Sequence, residues 1–200
     1  MNTKNRILIT ATTLLTAAVA LTGCTINIGT STGSNDDNGM MNDGMMGNNS
    51  SSGYSTTDIM FAQMMIPHHQ QAVDMGTLAE TRALSPEVKA LAAQIKSEQA
   101  PEIAQMKGWL TAAGAPSEMG HDMGMGGMLS DTEMAALKAA TGTEFDKLYL
   151  QGMIGHHEGA IQMAQMVINS KNSEVNKLAH AIVTSQTKQI NYMKSLLAKY

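Results

Sequence analysis

An internal duplication restricts the fold of this chain more than any other feature. The segment Met65-Ile66-Pro67-His68-His69, with Met75 beyond it, returns as Met153-Ile154-Gly155-His156-His157, with Met163 beyond it. The likeness continues downstream, where residues 85–110 align with residues 173–197 after a one-residue gap. Both copies carry apolar residues three and four apart, which is the helical period. Alternating patterns are absent, and only 4% of the residues are aromatic, so strand signals are thin. Two copies of a helix pair bury their apolar stripes best against each other. The duplication therefore predicts an all-α domain, a four-helix bundle of two helical hairpins.

Capping residues place the elements. A first helix is expected from near Asp58 to about Arg82. Ser85-Pro86-Glu87 then supplies an N-cap with proline at the first helical position, and Gly114 stops the second helix at about Ala113. Ser130-Asp131-Thr132-Glu133 has the form of a capping box and opens a short extra helix to about Ala140. Two further helices are expected from about Thr143 to Ile168 and from about Ser173 to the end. The expected order is a hairpin at 58–113, a Met-rich loop at 114–129, the short helix at 130–140 and a hairpin at 143–200.

The stripes on these helices are not wholly apolar. Phe61, Met64, His68, Ala72, Met75 and Ala79 share one face, and Phe145, Leu148, Gly152, His156, Ala160 and Met163 share its counterpart. His68 and His156 are thereby expected to point inward. The partner helices place Gln99 and Gln186 mid-stripe, among Ile95, Ile103 and Met106 in one copy and Ile182, Ile190 and Met193 in the other. His69 and His157 follow Met65 and Met153 by four residues, so each copy sets a second imidazole beside a thioether on an adjoining face, read as the more accessible one. Pro67 and Gly155 are expected to weaken the helix just before each histidine pair.

A structural reading would have His68 bond Gln99 and His156 bond Gln186, with methionines filling space. The repeated Met, weakened helix and paired histidines favour a ligand platform instead. Imidazole nitrogen with thioether sulfur suits soft ions of low charge, Cu(I) above all and Ag(I) by the same preference. A zinc site would draw on Cys, His and carboxylates. A di-iron bundle would need Glu-x-x-His on two helices, whereas only Glu118-Met119-Gly120-His121 has that spacing, once. The predicted metal ligands in the bundle are Met65, His68, His69, Met75, Met106, Met153, His156, His157, Met163 and Met193, with Gln99 and Gln186 supporting them. The loop adds Met119, His121, Met123, Met125 and Met128, four thioethers and an imidazole within ten residues. His180 faces Ala93 in the alignment and is read as an ordinary, partly buried histidine.

The N-terminus has the features of an export signal. Lys4 and Arg6 precede an apolar run from Ile7 to Leu21, too short for a mature membrane span. Leu21-Thr22-Gly23-Cys24 resembles the bacterial lipobox, which implies cleavage after residue 23 and lipidation of Cys24. The chain has 13 basic and 17 acidic side chains; without Lys4 and Arg6 the balance is 11 − 17, or −6. Such a charge argues against nucleic acid as a partner. Residues 24–57, rich in Gly, Ser, Asn and Met, read as a disordered tether. The expected partners are metal ions, the membrane through Cys24, and another envelope protein that handles metal.

These residues together resemble a bacterial family of secreted or lipid-anchored domains of once-unknown function, with a Met-x-x-His-His motif in each of two helical hairpins. The resemblance rests on Met65, His68, His69 and Met75 with Gln99, Glu102, Ile103 and Met106. In the second copy it rests on Phe145, Asp146, Met153, His156, His157 and Met163 with Gln186, Ile190 and Met193. It implies a ferritin-like four-helix bundle, copper or silver binding outside the cytoplasm, and a role in metal resistance. Gln189 stands where the first copy has Glu102, so the two halves need not bind equally. No nucleophile–base pair, phosphate loop or carboxylate dyad is evident, which favours a binding protein over a redox enzyme of the envelope. An envelope interaction protein or methionine-based oxidant buffer is the remaining alternative.

Overall fold

The computed structural model describes residues 53–117 and 126–200. The signal and lipobox with Cys24, nearly all of the tether, and Met119, His121, Met123 and Met125 lie outside the described residues. Those described form five helices and no strand: α1 (Thr56–Arg82), α2 (Pro86–Ala113), α3 (Asp131–Ala139), α4 (Gly142–Gln165) and α5 (Ser173–Leu197). None is long and apolar enough to cross a membrane.

Short polar side chains start the helices by accepting from the free backbone N–H groups of the first turn. Ser55 and Asp58 form a reciprocal capping box on α1, as Ser130 and Glu133 do on α3. Ser85 caps α2 ahead of Pro86, and the Asn172 carboxamide caps α5. The α4 helix ends three residues before the expected Ile168, because Met166 to Asn169 wind into turns.

Helices α1 and α2 form one hairpin and α4 and α5 the other, and the hairpins meet mainly along α1 and α4. Asp146 at the start of α4 is fully buried. Its carboxylate accepts from the Leu84 and Ser85 backbone N–H groups, at 3.0 and 2.9 Å, and from the Tyr200 hydroxyl at 2.8 Å. One carboxylate thus ties the α1–α2 turn and the end of the second hairpin to the start of α4.

The core divides into two apolar clusters. One holds Met65, Met106 and Met163 with Phe61, Ile103, Trp109 and Ile182. The other holds Met75, Met153 and Met193 with Ile95, Phe145, Tyr149 and Leu150. The duplication explains the partition, since each cluster takes methionines from both copies: Met64, Met65 and Met106 with Met163 in one, Met153 and Met193 with Met75 in the other. Leu148, placed on the stripe by spacing, is only half-buried, while neighbouring Tyr149 is buried.

Neither Pro67 nor Gly155 interrupts its helix. Pro67 lies on the exposed side of α1, where water can satisfy the carbonyl that its missing N–H leaves free. The α4 helix likewise runs through Gly155 unbroken.

Candidate metal centre

Between the two apolar clusters each long helix contributes buried polar side chains: His68 and His69 from α1, Gln99 from α2, His156 and His157 from α4, and Gln186 and Gln189 from α5. The four imidazoles form a row across the bundle. Ring centroids are 6.5 Å apart for His69 and His68, 3.7 Å for His68 and His156, and 6.3 Å for His156 and His157. His68 and His156, equivalent in the duplication, meet at the centre of this row.

All four rings are fully buried. This corrects the expectation that His69 and His157 face an accessible side. Helices α2 and α5 cover that face, and acceptors they carry reach the outer rings. The Nε2–H of His69 donates to the Glu102 carboxylate at 2.7 Å, and that of His157 donates to the Gln189 carbonyl oxygen at 2.8 Å. Gln189 in turn donates to the Glu98 carboxylate at 2.9 Å, which fixes the orientation of its amide. At the centre, His156 Nε2–H donates to the His68 backbone carbonyl at 2.9 Å.

Most of the other polar atoms of this layer are unmatched. Among the described residues, both ring nitrogens of His68, the Nδ1 atoms of His69, His156 and His157, both amide atoms of Gln99 and the Gln186 carbonyl oxygen are buried without a hydrogen-bond partner. The bonds from His68 to Gln99 and from His156 to Gln186 that a purely structural role would supply are not formed. Burial holds three of the imidazoles neutral: His68 is lowered to about 3, with neighbouring His69 and His157 adding to the effect. His157 is lowered to about 4 by burial, against the opposing hydrogen bond to Gln189. His156 is also pushed well below the ordinary histidine value, first by burial and then by His68. A neutral imidazole has the lone pair that a metal needs.

Among the described residues no three His, Cys, Asp or Glu groups converge as a metal site. An ion in this layer would need other donors, and the thioethers of the flanking clusters are the soft donors at hand. Met65, Met75, Met106, Met153 and Met193 are fully buried and Met163 nearly so. The structure therefore places the four predicted histidines in one layer with Gln99 and Gln186, and the six predicted methionines in the apolar clusters on either side of it. His180 departs from its reading, since it is exposed and lines a groove of about 530 Å³ with Glu98 and Gln189.

The end of the Met-rich loop is tied to the same layer. Gln71 of α1 holds the Leu129 backbone by both amide atoms, at 2.9 and 2.8 Å. On the other side Gly126 and Gly127 press against α4. A Cβ at Gly159 would overlap the Gly126 carbonyl, and one at Gly127, where φ is +85°, would overlap the Gly155 carbonyl. The Gly126 carbonyl also lies near the His68 ring and opposes the lowering of its pKa, but not in hydrogen-bond geometry with either ring nitrogen. Met128 is half-buried. Glycine in the loop was legible only as flexibility, because the close backbone approach that requires Gly127 and Gly159 is long-range.

Glu102, Gln189, Glu98 and Gln71 were absent from the predicted ligand set, although the first two follow Gln99 and Gln186 by three residues. That spacing puts each beside its glutamine on one helical face, and could have marked them as support for the second histidines.

The fold and this layer define a class: a duplicated helical hairpin with a buried imidazole row between methionine-bearing clusters. Residues 58–197 match the family described as Domain of unknown function (DUF305), and the chain belongs to that family. A solved structure of a DUF305 protein from Streptomyces coelicolor, described as secreted, is similar with a TM-score of 0.69 and 35% identity, over 72% of this chain and 93% of that one. A DUF305 fragment from Deinococcus radiodurans has a TM-score of 0.68 and 30% identity, over 73% and 98%. CopM in its Cu(II)-bound form has a TM-score of 0.62 and 37% identity, over 71% and 96%. CopM has also been solved in Cu(I)-bound, Ag-bound and apo forms. An uncharacterised protein of Acanthamoeba polyphaga mimivirus is 45% identical over 53 residues, which spans 26% of this chain and about a third, 35%, of that protein.

Proposed function

We propose that this chain is an extracytoplasmic, lipid-anchored protein that sequesters or hands on Cu(I), and by the same chemistry Ag(I). Its ligands are the four imidazoles of the central layer and the thioethers of Met65, Met106 and Met163 on one side and Met75, Met153 and Met193 on the other. One observation carries the reading: the buried ring nitrogens with no partner among the described residues. Leaving a buried polar atom unpaired costs about 1–3 kcal/mol, so a layer kept only for stability would be better built from apolar side chains. A soft cation gives those lone pairs a partner.

The copper- and silver-bound forms of CopM support the choice of ion. Lys4, Arg6, the apolar run and the lipobox before Cys24 support anchoring to the outer face of a bacterial membrane. The layer offers donors but no activated nucleophile, which supports holding an ion over turning over a substrate. Oxidant buffering would fall mainly to the loop and tether methionines, since the six bundle thioethers are buried.

A competition titration of the reduced full-length chain with Cu(I) against a chelator of known affinity tests the reading. Changing the six bundle methionines to leucine conserves core volume closely and should weaken Cu(I) binding at least tenfold. Unchanged affinity in that variant and in a His68/His156 double substitution would remove the bundle from the function.

A further inference from the structure

The hydrogen bonds around the imidazole row decide which ring nitrogen is free. A carboxylate, a backbone carbonyl and an amide oxygen can only accept. His69 faces Glu102, His156 faces the His68 carbonyl, and His157 faces a Gln189 oxygen whose identity is fixed because the same amide donates to Glu98. In all three rings Nε2 must therefore carry a proton, and in the neutral form of each ring Nδ1 holds the lone pair. Those Nδ1 atoms are the ones buried without a partner among the described residues.

The two copies differ in one respect. A carboxylate backs His69, whereas an amide backs His157 and the nearest carboxylate, Glu98, stands one hydrogen bond further out. A carboxylate accepting from an imidazole N–H makes the opposite nitrogen a stronger donor to a cation, and a carboxylate supporting a metal-bound histidine typically contributes about 10–100-fold in affinity. Glu102 and Glu98 also line a groove of about 500 Å³ between α2 and α5, so both acidic groups stand where a cation would approach from solvent.

Building on the function proposed above, we propose that His69, His156 and His157 ligate through Nδ1, and that Glu102 and Gln189 are unequal positioning residues. The Glu102-backed half takes the first ion and the Gln189-backed half the second. The duplication thus yields two sites of graded affinity.

The test uses full-length protein labelled with ¹⁵N at histidine, with Ag(I) as a diamagnetic, redox-inert probe. Long-range ¹H–¹⁵N spectra of the metal-free protein report the tautomers directly. Protons on Nε2 of His69, His156 and His157 are expected; a proton on Nδ1 of His69 or His157 overturns the proposal. On titration with Ag(I), His69 should respond before His157. Glu102→Gln, which keeps an acceptor and the tautomer but removes the charge, should weaken the first binding step about 10–100-fold and reduce or reverse that order. The double variant Glu98→Gln/Gln189→Glu moves the carboxylate next to His157 and should tighten the second step. Equal midpoints for His69 and His157 in wild type, or an order unmoved by Glu102→Gln, overturn the inference while metal binding itself stands. No Ag(I) binding at any histidine overturns the function proposed above as well, and the tautomers remain readable in the same samples.

Discussion

Acid should destabilise the metal-free bundle steeply, because three of its histidines, His68, His156 and His157, are buried in the neutral form. His68 and His157 are lowered to about 3 and about 4 from 6.5, so between these values the unfolded chain binds protons that the folded chain does not. Unfolding is then favoured as pH falls. The stability these two rings permit is fully present above about pH 6.5, is lost as pH drops through the window, and stops changing below their folded values. Each contributes a slope of about 1.4 kcal/mol per pH unit, so at about pH 4.5 the two together remove about 5 kcal/mol. His156, shifted in the same direction, steepens the loss. A domain of this size has about 5–15 kcal/mol of stability in total, so the apo-bundle should be close to unfolding near that pH. Urea denaturation followed by far-UV circular dichroism, from about pH 7.5 to about pH 4.5, measures this directly. His68→Leu and His157→Leu should each reduce the slope by about 1.4 kcal/mol per unit. A flat profile in the wild type, or slopes unmoved by either change, would mean that the rings are protonated or solvated in the folded state.

Other substitutions separate packing from ligation. His69→Ala and His157→Ala should each cost about 2–4 kcal/mol in urea titrations, since both rings fill closed space beneath α2 and α5; a loss under about 0.5 kcal/mol would place them at an accessible surface after all. Gly159→Ala should lower the melting temperature through an overlap with the Gly126 carbonyl that costs about 1–3 kcal/mol. Gly155→Ala, whose new methyl group meets nothing within 4 Å, should be neutral or raise stability by up to about 1 kcal/mol; equal effects at the two positions would contradict the docking of the Gly126–Leu129 strap. Pro67→Ala restores a backbone donor inside α1 and should stabilise the fold by about 1–3 kcal/mol in thermal melts, and a destabilised variant would show that the proline is required by its surroundings.

The helical bundle was legible because local signals and long-range symmetry agreed. Ser85-Pro86, Ser130 with Glu133, and the stripe of Ile95, Gln99, Ile103 and Met106 each act within one helix, and the duplication supplied the pairing of the hairpins. The exposure of the second histidines was misread because a stripe assigned from one helix ignores what covers its flank. In α1, His69 lies just off the His68 stripe, and only the position of α2 turns that flank into interior. Pro67 and Gly155 were read together as helix breakers because they occupy equivalent positions, yet Pro67 faces solvent and Gly155 adjoins the Gly126–Leu129 strap. That strap itself could not be read locally, since the contacts of Gly126 and Gly127 with Gly155 and Gly159 come from folding the second hairpin onto the loop.

X-ray absorption at the copper edge of the full-length chain loaded with one equivalent of Cu(I) tests the central claim most directly, because it identifies the ligand atoms without assuming a geometry. A shell containing both imidazole nitrogen and thioether sulfur is expected, with the nitrogen component lost when His68, His69, His156 and His157 are replaced together in a variant shown by circular dichroism to remain folded. A shell of sulfur alone in the wild type would place the ion on methionines without the imidazole layer, and would contradict the function assigned to the bundle.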